Sequence, residues 1–351
     1  MSLINFTNLD FNQIKTTLRD YIQSNSDFSD YDFEGSNLST ILDVLAYNTY
    51  ITSYNANMIS NEVFIDSATL RENVVSLARN IGYVPRSKKS SRSSISFFVD
   101  MSSVSPTPAN ITLKAGPVVS TGGQFNNQSF VFGVPEDITV SVVDGIASFD
   151  RIEVYEGSYL SQTYVYSTRN PFQKFILPNV GVDLDSLVVS VRPSVDSSVS
   201  AKYTRQDELF DTVTKSTITQ NSNIYFIQEV EGEQYEVIFG DGVFGKALND
   251  GNIVELTYIV TNGSSGNGVS NFTFSGSLSY VRNSVEIFVT NGISLVSSLL
   301  PSSGGESIES VDSIRKYAPQ VYTTQNRALS ANDYEIPVSY THLTLPTNRE
   351  V

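Results

Sequence analysis

The chain has no cysteine, no tryptophan and one histidine, His342, among 351 residues. Without cysteine there is no disulfide, no thiolate nucleophile and no zinc–thiolate site. One histidine, lying close to the C-terminal end, leaves neither a Ser-His-Asp nor a Cys-His arrangement to build. Positive charge is scarce: 22 Lys and Arg stand against 37 Asp and Glu, a net −15. That balance argues against nucleic acid, whose phosphates require clustered cations. No apolar run is long enough to span a bilayer. The opening Met-Ser-Leu-Ile-Asn-Phe-Thr has no basic region followed by an apolar stretch, so it is not read as a signal peptide. These absences fit a soluble protein assembled inside the cell, with no membrane and no cofactor.

What the chain does have is length and aromatic content. Its size exceeds one ordinary core, so two or three domains are expected. The 20 Phe and 19 Tyr suit strands and interfaces. The first part carries helical periodicity. Phe11, Ile14, Leu18 and Ile22 share a face, and a second helix begins near Ser36 with Leu38, Ile41, Leu42, Leu45 and Thr49 in line. Tyr47, Tyr50, Ile51, Tyr54 and Met58 spread its apolar surface beyond one stripe, more than a lone surface helix needs. A third helix follows Asp66. Thr69-Leu-Arg-Glu72 has capping-box spacing, Gly82 is placed to end the helix, and Pro85 blocks its resumption. Arg86-Ser-Lys-Lys-Ser-Ser-Arg92 reads as a solvated interdomain linker.

From about Ser93 the period changes to two. Ile95, Phe97 and Val99 alternate, and short strands recur between turn signals through Leu187–Val191. A meander follows, with Tyr235, Val237 and Phe239 alternating up to Gly240 and Val254, Leu256, Tyr258 and Val260 alternating after Gly251. After Gly305 the helical period returns at Ile308, Val311, Ile314 and Ala318, and Pro319 is expected to stop it. The fold class is therefore α+β and multidomain. It comprises an N-terminal helical segment, central antiparallel β domains and the start of a truncated α/β C-terminal domain. The expected boundaries are 1–85 helical, 86–200 β-rich, 201–300 a β-meander, 301–338 the C-terminal beginning, and 339–351 a non-native tail. That tail resembles a translated sequencing adapter, so native sequence is expected to end near Val338.

Gly240-Asp-Gly-Val-Phe-Gly-Lys246 matches G-x-G-x-x-G, the phosphate-cradling pattern. The dinucleotide form must open a helix. Here turn residues and then a strand follow, so the reading is a tight hairpin using glycine for its backbone freedom. The kinase form needs a lysine on the next strand and two later motifs, and the sequence lacks them. Asp241, Asn249 and Asp250 bear oxygens near turns, but calcium-loop spacing is absent. Carboxylate pairs for glycoside cleavage stay open, because nothing singles two out.

Two separated stretches carry a family resemblance. Phe239, Gly240, Asp241, Gly242 and Gly245 form one. Gly304, Gly305, Glu306 and Arg315, running on to Asp333 and Tyr334, form the other. Together they resemble the baseplate J-like family, the wedge proteins of contractile-tail baseplates. Phe33-Glu-Gly-Ser-Asn-Leu38, Leu70-Arg-Glu-Asn73 and Ile81-Gly-Tyr83 narrow this to the large inner-ring wedge protein of myophages, here C-terminally truncated. The resemblance implies a structural, non-enzymatic virion component assembled in the host cytoplasm. It also implies that two copies join another baseplate wedge protein through N-terminal helices and that a six-fold ring closes around them. Ile41, Leu45, Tyr50, Tyr54 and Met58 are then the partner-facing residues. A carbohydrate-binding tail-fibre or adhesin module, or a glycan-cleaving tail enzyme, is the alternative.

Overall fold

The computed structural model describes residues 10–25, 37–123, 125–170, 172–206, 210–211, 216–298 and 300–324. The chain divides into two compact units. The helical unit takes the described residues within Met1–Tyr83 and Val311–Val338, and the β unit those within Val84–Ser310. The β unit is thus inserted, in sequence, into the helical one. The α+β multidomain class holds, with the helices first, mostly antiparallel sheets next and a short helix last.

Helices α1 (Phe11–Asn25), α2 (Asn37–Glu62), α3 (Arg71–Asn80) and α4 (Val311–Thr324) make the helical unit. Asp10 caps α1, its Oδ1 accepting the amides of Asn12 at 2.8 Å and Gln13 at 3.2 Å. α1 packs along α2, and α3 packs on α4. The capping box at Thr69 does not form. Leu70 is the N-cap of α3 and offers no side-chain bond. Glu62, at the end of α2, takes the Thr69 hydroxyl at 2.5 Å, its amide at 2.8 Å and the Asn73 amide group at 2.7 Å. A carboxylate from the preceding helix replaces the expected Glu72. Gly82 ends α3 at φ +80°, its amide donating to Arg79 and that of Tyr83 to Ala78.

Partial burial pushes the Glu62 carboxyl up, but the bonds from Thr69, Asn73 and Leu70 outweigh it and hold the group below the usual glutamate range. A depressed folded pKa adds stability above the unfolded value, and that stability is lost as pH falls through the folded one. Glu62→Gln is therefore expected to lower helical-unit stability by about 1 kcal/mol at neutral pH. The difference should close in acid, where the parent also protonates. Far-UV circular dichroism melts at neutral and acidic pH check this.

Pro319 does not stop α4, which runs five residues past it. A mid-helix proline costs about 3 kcal/mol. Ile314 and Ala318 are fully buried on the face of a helix that packs against α3, and that burial offsets the cost.

In chain order the strands are β1 (Arg92–Asp100), β2 (Asn110–Leu113), β3 (Gly116–Thr121), β4 (Val131–Val134), β5 (Ile138–Val143), β6 (Ile146–Glu156), β7 (Ser158–Val165), β8 (Phe175–Leu177), β9 (Val182–Arg192) and β10 (Ala201–Arg205). They continue as β11 (Phe210–Asp211), β12 (Ser216–Thr217), β13 (Ile224–Val230), β14 (Gln234–Phe239), β15 (Ile253–Val260), β16 (Phe272–Phe274), β17 (Leu278–Arg282), β18 (Val285–Val289) and β19 (Ser297–Ser298). One sheet runs β16-β3-β4-β6-β5-β2-β17-β18, with β1 paired to β6 and β19. The other runs β7-β15-β9-β10-β13-β14-β8, and β11 pairs with β12 alone. Ile95, Phe97 and Val99 are buried as their alternation predicts, and Phe97 stacks on Phe149 at 4.8 Å. Val254, Leu256 and Tyr258 fill the second core.

The sheets do not follow the chain in blocks. β9 and β10 pair across residue 200, where a domain boundary was expected, and β1 to β6 share a sheet with β16 to β19. Nor is 201–300 a meander. β10 and β13 pair in parallel, and three strands separate β14 from β15. Alternation marks a strand but does not name its neighbour, which is set by burial in three dimensions.

Candidate assembly interface

The two signature stretches are structural clasps. In the first, Asp241 Oδ1 accepts the amides of Val243 and Phe244, each at 2.9 Å. Those bonds hold its carboxyl below the usual aspartate range. Gly242 and Gly245 adopt φ of +88° and +83°. A Cβ on Gly240 would lie 2.4 Å from the Gly245 carbonyl carbon. The loop is therefore a self-capped crossover and not the expected hairpin, since β14 and β15 do not pair. No helix follows it, so it lacks the N-terminus on which a pyrophosphate would sit. It presents Val243 and Phe244 to solvent. Asp250 is likewise a turn cap, accepting the Thr168 amide at 2.8 Å and hydroxyl at 3.1 Å. The Asn249 amide donates to Asn252 Oδ1 at 2.9 Å.

In the second, Gly304 has φ +83°, and a Cβ on Gly305 would lie 2.4 Å from the Gly263 carbonyl oxygen. Asn267 brackets Gly305, its Nδ2 donating to the carbonyl and its Oδ1 accepting the amide, both at 2.9 Å. Glu306 exchanges backbone bonds with Lys89 at 3.0 and 3.1 Å, and Ser303 does so with Arg92 at 2.9 Å each way. Glu309 accepts the Arg86 amide at 3.0 Å. The basic stretch 86–92 is therefore no solvated linker. Its backbone is zipped to residues 303–309, and Ser90 and Ser91 are buried. The β unit's two chain ends thus leave side by side.

Beneath this clasp lie two buried carboxylates. Glu156 accepts the Thr261 hydroxyl at 2.5 Å and the Asn262 side-chain amide at 2.8 Å. Asp183 accepts the Ser90 amide at 2.8 Å, and burial still pushes its carboxyl up. Both are spent on fixing backbone. Arg315 belongs to the helical unit, where it donates to the Ala68 carbonyl and to Asp312 at 2.9 Å. Asp333 and Tyr334 lie outside the described residues.

Among the described residues, α2 carries an apolar surface with no partner over it. Its buried residues are Leu42 with small or polar Ser39, Ala46, Asn57 and Asn61. Its large apolar side chains turn outward. Ile41, Leu45 and Tyr54 are about half exposed (54%, 47% and 47%), and Tyr50 and Met58 are half-buried. Val44, Tyr47, Ile51, Tyr54 and Met58 are spaced alternately three and four residues apart, the a/d spacing of a coiled-coil seam. Val44 and Tyr47 are 64% and 60% exposed. A helix that hides serine and asparagine while showing valine, isoleucine and tyrosine reverses the usual pattern of a surface helix. The sequence names Tyr47, Ile51, Tyr54 and Met58 as excess apolar surface, with Ile41 and Leu45 beside them; Val44 and the seven-residue repeat emerge on counting at 3.5 residues per turn rather than 3.6.

Residues 10–83 match the family model of the baseplate wedge protein gp6-like helical domain. Over these residues the chain is similar to the gp6-like baseplate wedge proteins. The matched residues end at Tyr83, where the helical unit gives way to the β unit. Over 346 residues the chain is 25% identical to baseplate wedge protein gp6 of Enterobacteria phage T4, covering 94% of this chain and 49% of that protein. It spans about half the length of that relative. Among solved structures it is similar to a chain of the six-fold symmetrised cryo-EM structure of the anti-feeding prophage baseplate. That likeness has 12% identity and a TM-score of 0.34, covering 96% of this chain and 65% of that one, and at that score the two folds are not equated.

Proposed function

We propose that this chain is a structural subunit of a contractile-tail baseplate wedge, and that it attaches to its neighbours through α2. The observation that carries the reading is the seam Val44, Tyr47, Ile51, Tyr54 and half-buried Met58, set on a helix whose inward face is small or polar but for Leu42. Each such side chain buried against a partner helix contributes about 1.5–3 kcal/mol before association costs. Five are enough to hold a bundle. The partners are helices of other wedge proteins and of a second copy, and the assembled particle is a virion baseplate with six-fold closure, put together in the host cytoplasm. The role is attachment and not turnover, because the two glycine signatures and the buried carboxylates Glu156, Asp183 and Glu309 serve to fix backbone.

The test is co-sedimentation. The full chain is expected to enter a complex with wedge proteins of the same tail and to gain helical signal on mixing. A chain that remains separate from every wedge protein contradicts the reading.

A further inference from the structure

β18 is the last strand of its sheet, and among the described residues one of its edges faces no other strand. It reads Val285-Glu-Ile-Phe-Val289: β-branched or aromatic but for one acid, with no proline, no glycine and no lysine. Natural edges are blunted by such residues or by bulges, and this one has neither. Its only charge, Glu286, is already met by Lys114 at 2.7 Å and by the Ser279 hydroxyl at 2.8 Å. Val285 and Phe288 are more than half exposed. Lys114 also holds Asp137 at 3.2 Å, and the remaining side chains of the strand are apolar.

The hairpin fixes which backbone groups face outward. Asn283 and Ser284 have φ of 50° and 62° and form a two-residue turn, so Arg282 and Val285 are a hydrogen-bonded pair. Alternation makes Tyr280 with Ile287 and Leu278 with Val289 bonded pairs as well. The amides and carbonyls of Glu286 and Phe288 are left pointing away from the sheet.

We propose that β18 pairs antiparallel with β18 of a second copy of this chain, about a two-fold axis through Ile287. In that register Glu286 lies opposite the partner's Phe288. Both residues carry outward groups, so each of the two pairs exchanges two backbone bonds, and all five residues of the strand are matched. Ile287 faces its own copy in the close, non-bonded position. A register centred on Glu286 would set like charges opposite each other and is disfavoured. Five residues fall well short of the roughly 800 Å² per partner of a stable interface. The pairing is therefore reversible alone and adds to other contacts.

A chain without cysteine makes the test specific to register. In non-bonded antiparallel pairs the Cα atoms are about 4.5 Å apart, within disulfide range. Full-length Ile287→Cys is expected to form a disulfide dimer on mild oxidation. Val285→Cys, which would face Val289 of the second copy, is expected not to. Adding Phe288→Pro removes an outward amide without touching the β17 ladder and should cut the cross-linked fraction about tenfold or more. Phe288→Lys, an exposed change, should do the same. No dimer from Ile287→Cys, or equal dimer from Val285→Cys, overturns the proposal. Val44→Glu with Tyr47→Glu on α2 should leave the cross-link intact, which separates this pairing from the helical seam.

Discussion

Val44→Glu with Tyr47→Glu is expected to abolish assembly while leaving the isolated chain folded. Both side chains already face water, so their exchange moves stability by no more than about 0.5 kcal/mol each. Glutamate is also the better helix former. In a complex the two positions become the centre of an apolar seam. There each loses about 1.5–3 kcal/mol of burial and places a charge where none can be hydrated. Together they should weaken association by more than about a hundredfold. Circular dichroism should match the parent chain, and co-sedimentation with wedge proteins should fail. The same changes at Thr49 and Ala56, exposed but off the seam, should be tolerated.

Gly305→Ala has the second large effect, and it falls on the fold. Its Cβ would stand 2.4 Å from the oxygen and 2.9 Å from the carbon of the Gly263 carbonyl, and 3.0 Å from Asn267 Oδ1. Two of these are backbone atoms and cannot swing aside. The clasp that joins 86–92 to 303–309 must open, at about 3 kcal/mol. For a unit of this size that lowers the melting temperature by roughly 6–12 °C. Gly123→Ala is the control, since nothing lies within 4 Å of its built Cβ and its φ is not in the left-handed region. Thermal unfolding of the two variants against the parent decides the matter. Equal melting of Gly305→Ala and the parent would remove the structural reading of this signature.

What could be read from the sequence follows from how local its cause is. Gly82 ends α3 because its left-handed backbone and the bonds around it are set within six residues. The alternation of Ile95, Phe97 and Val99 was equally local, a property of any half-buried strand. The rest required a partner far along the chain. Glu62 displaced the Thr69 capping box because the turn between α2 and α3 brings a carboxylate back to it. Pro319 stayed in a helix because α3 covers the other side of that turn. The Gly240–Gly245 loop looked like a hairpin because glycine loops are alike in sequence, whether the next strand is adjacent or three strands away. On α2, Tyr47 and Tyr54 are visible as excess apolar surface. The inward face was not, because serine, alanine and asparagine give no hydrophobic signal.

Because no native cysteine competes, single cysteines bearing a short photo-cross-linker can be walked along α2 in the full chain and irradiated during tail assembly. Cross-links to another helical wedge subunit are predicted at positions 44, 47, 51, 54 and 58, with little at 49 and 56. Uniform labelling around the helix, or no cross-link at the seam positions in finished particles, would contradict attachment through this face.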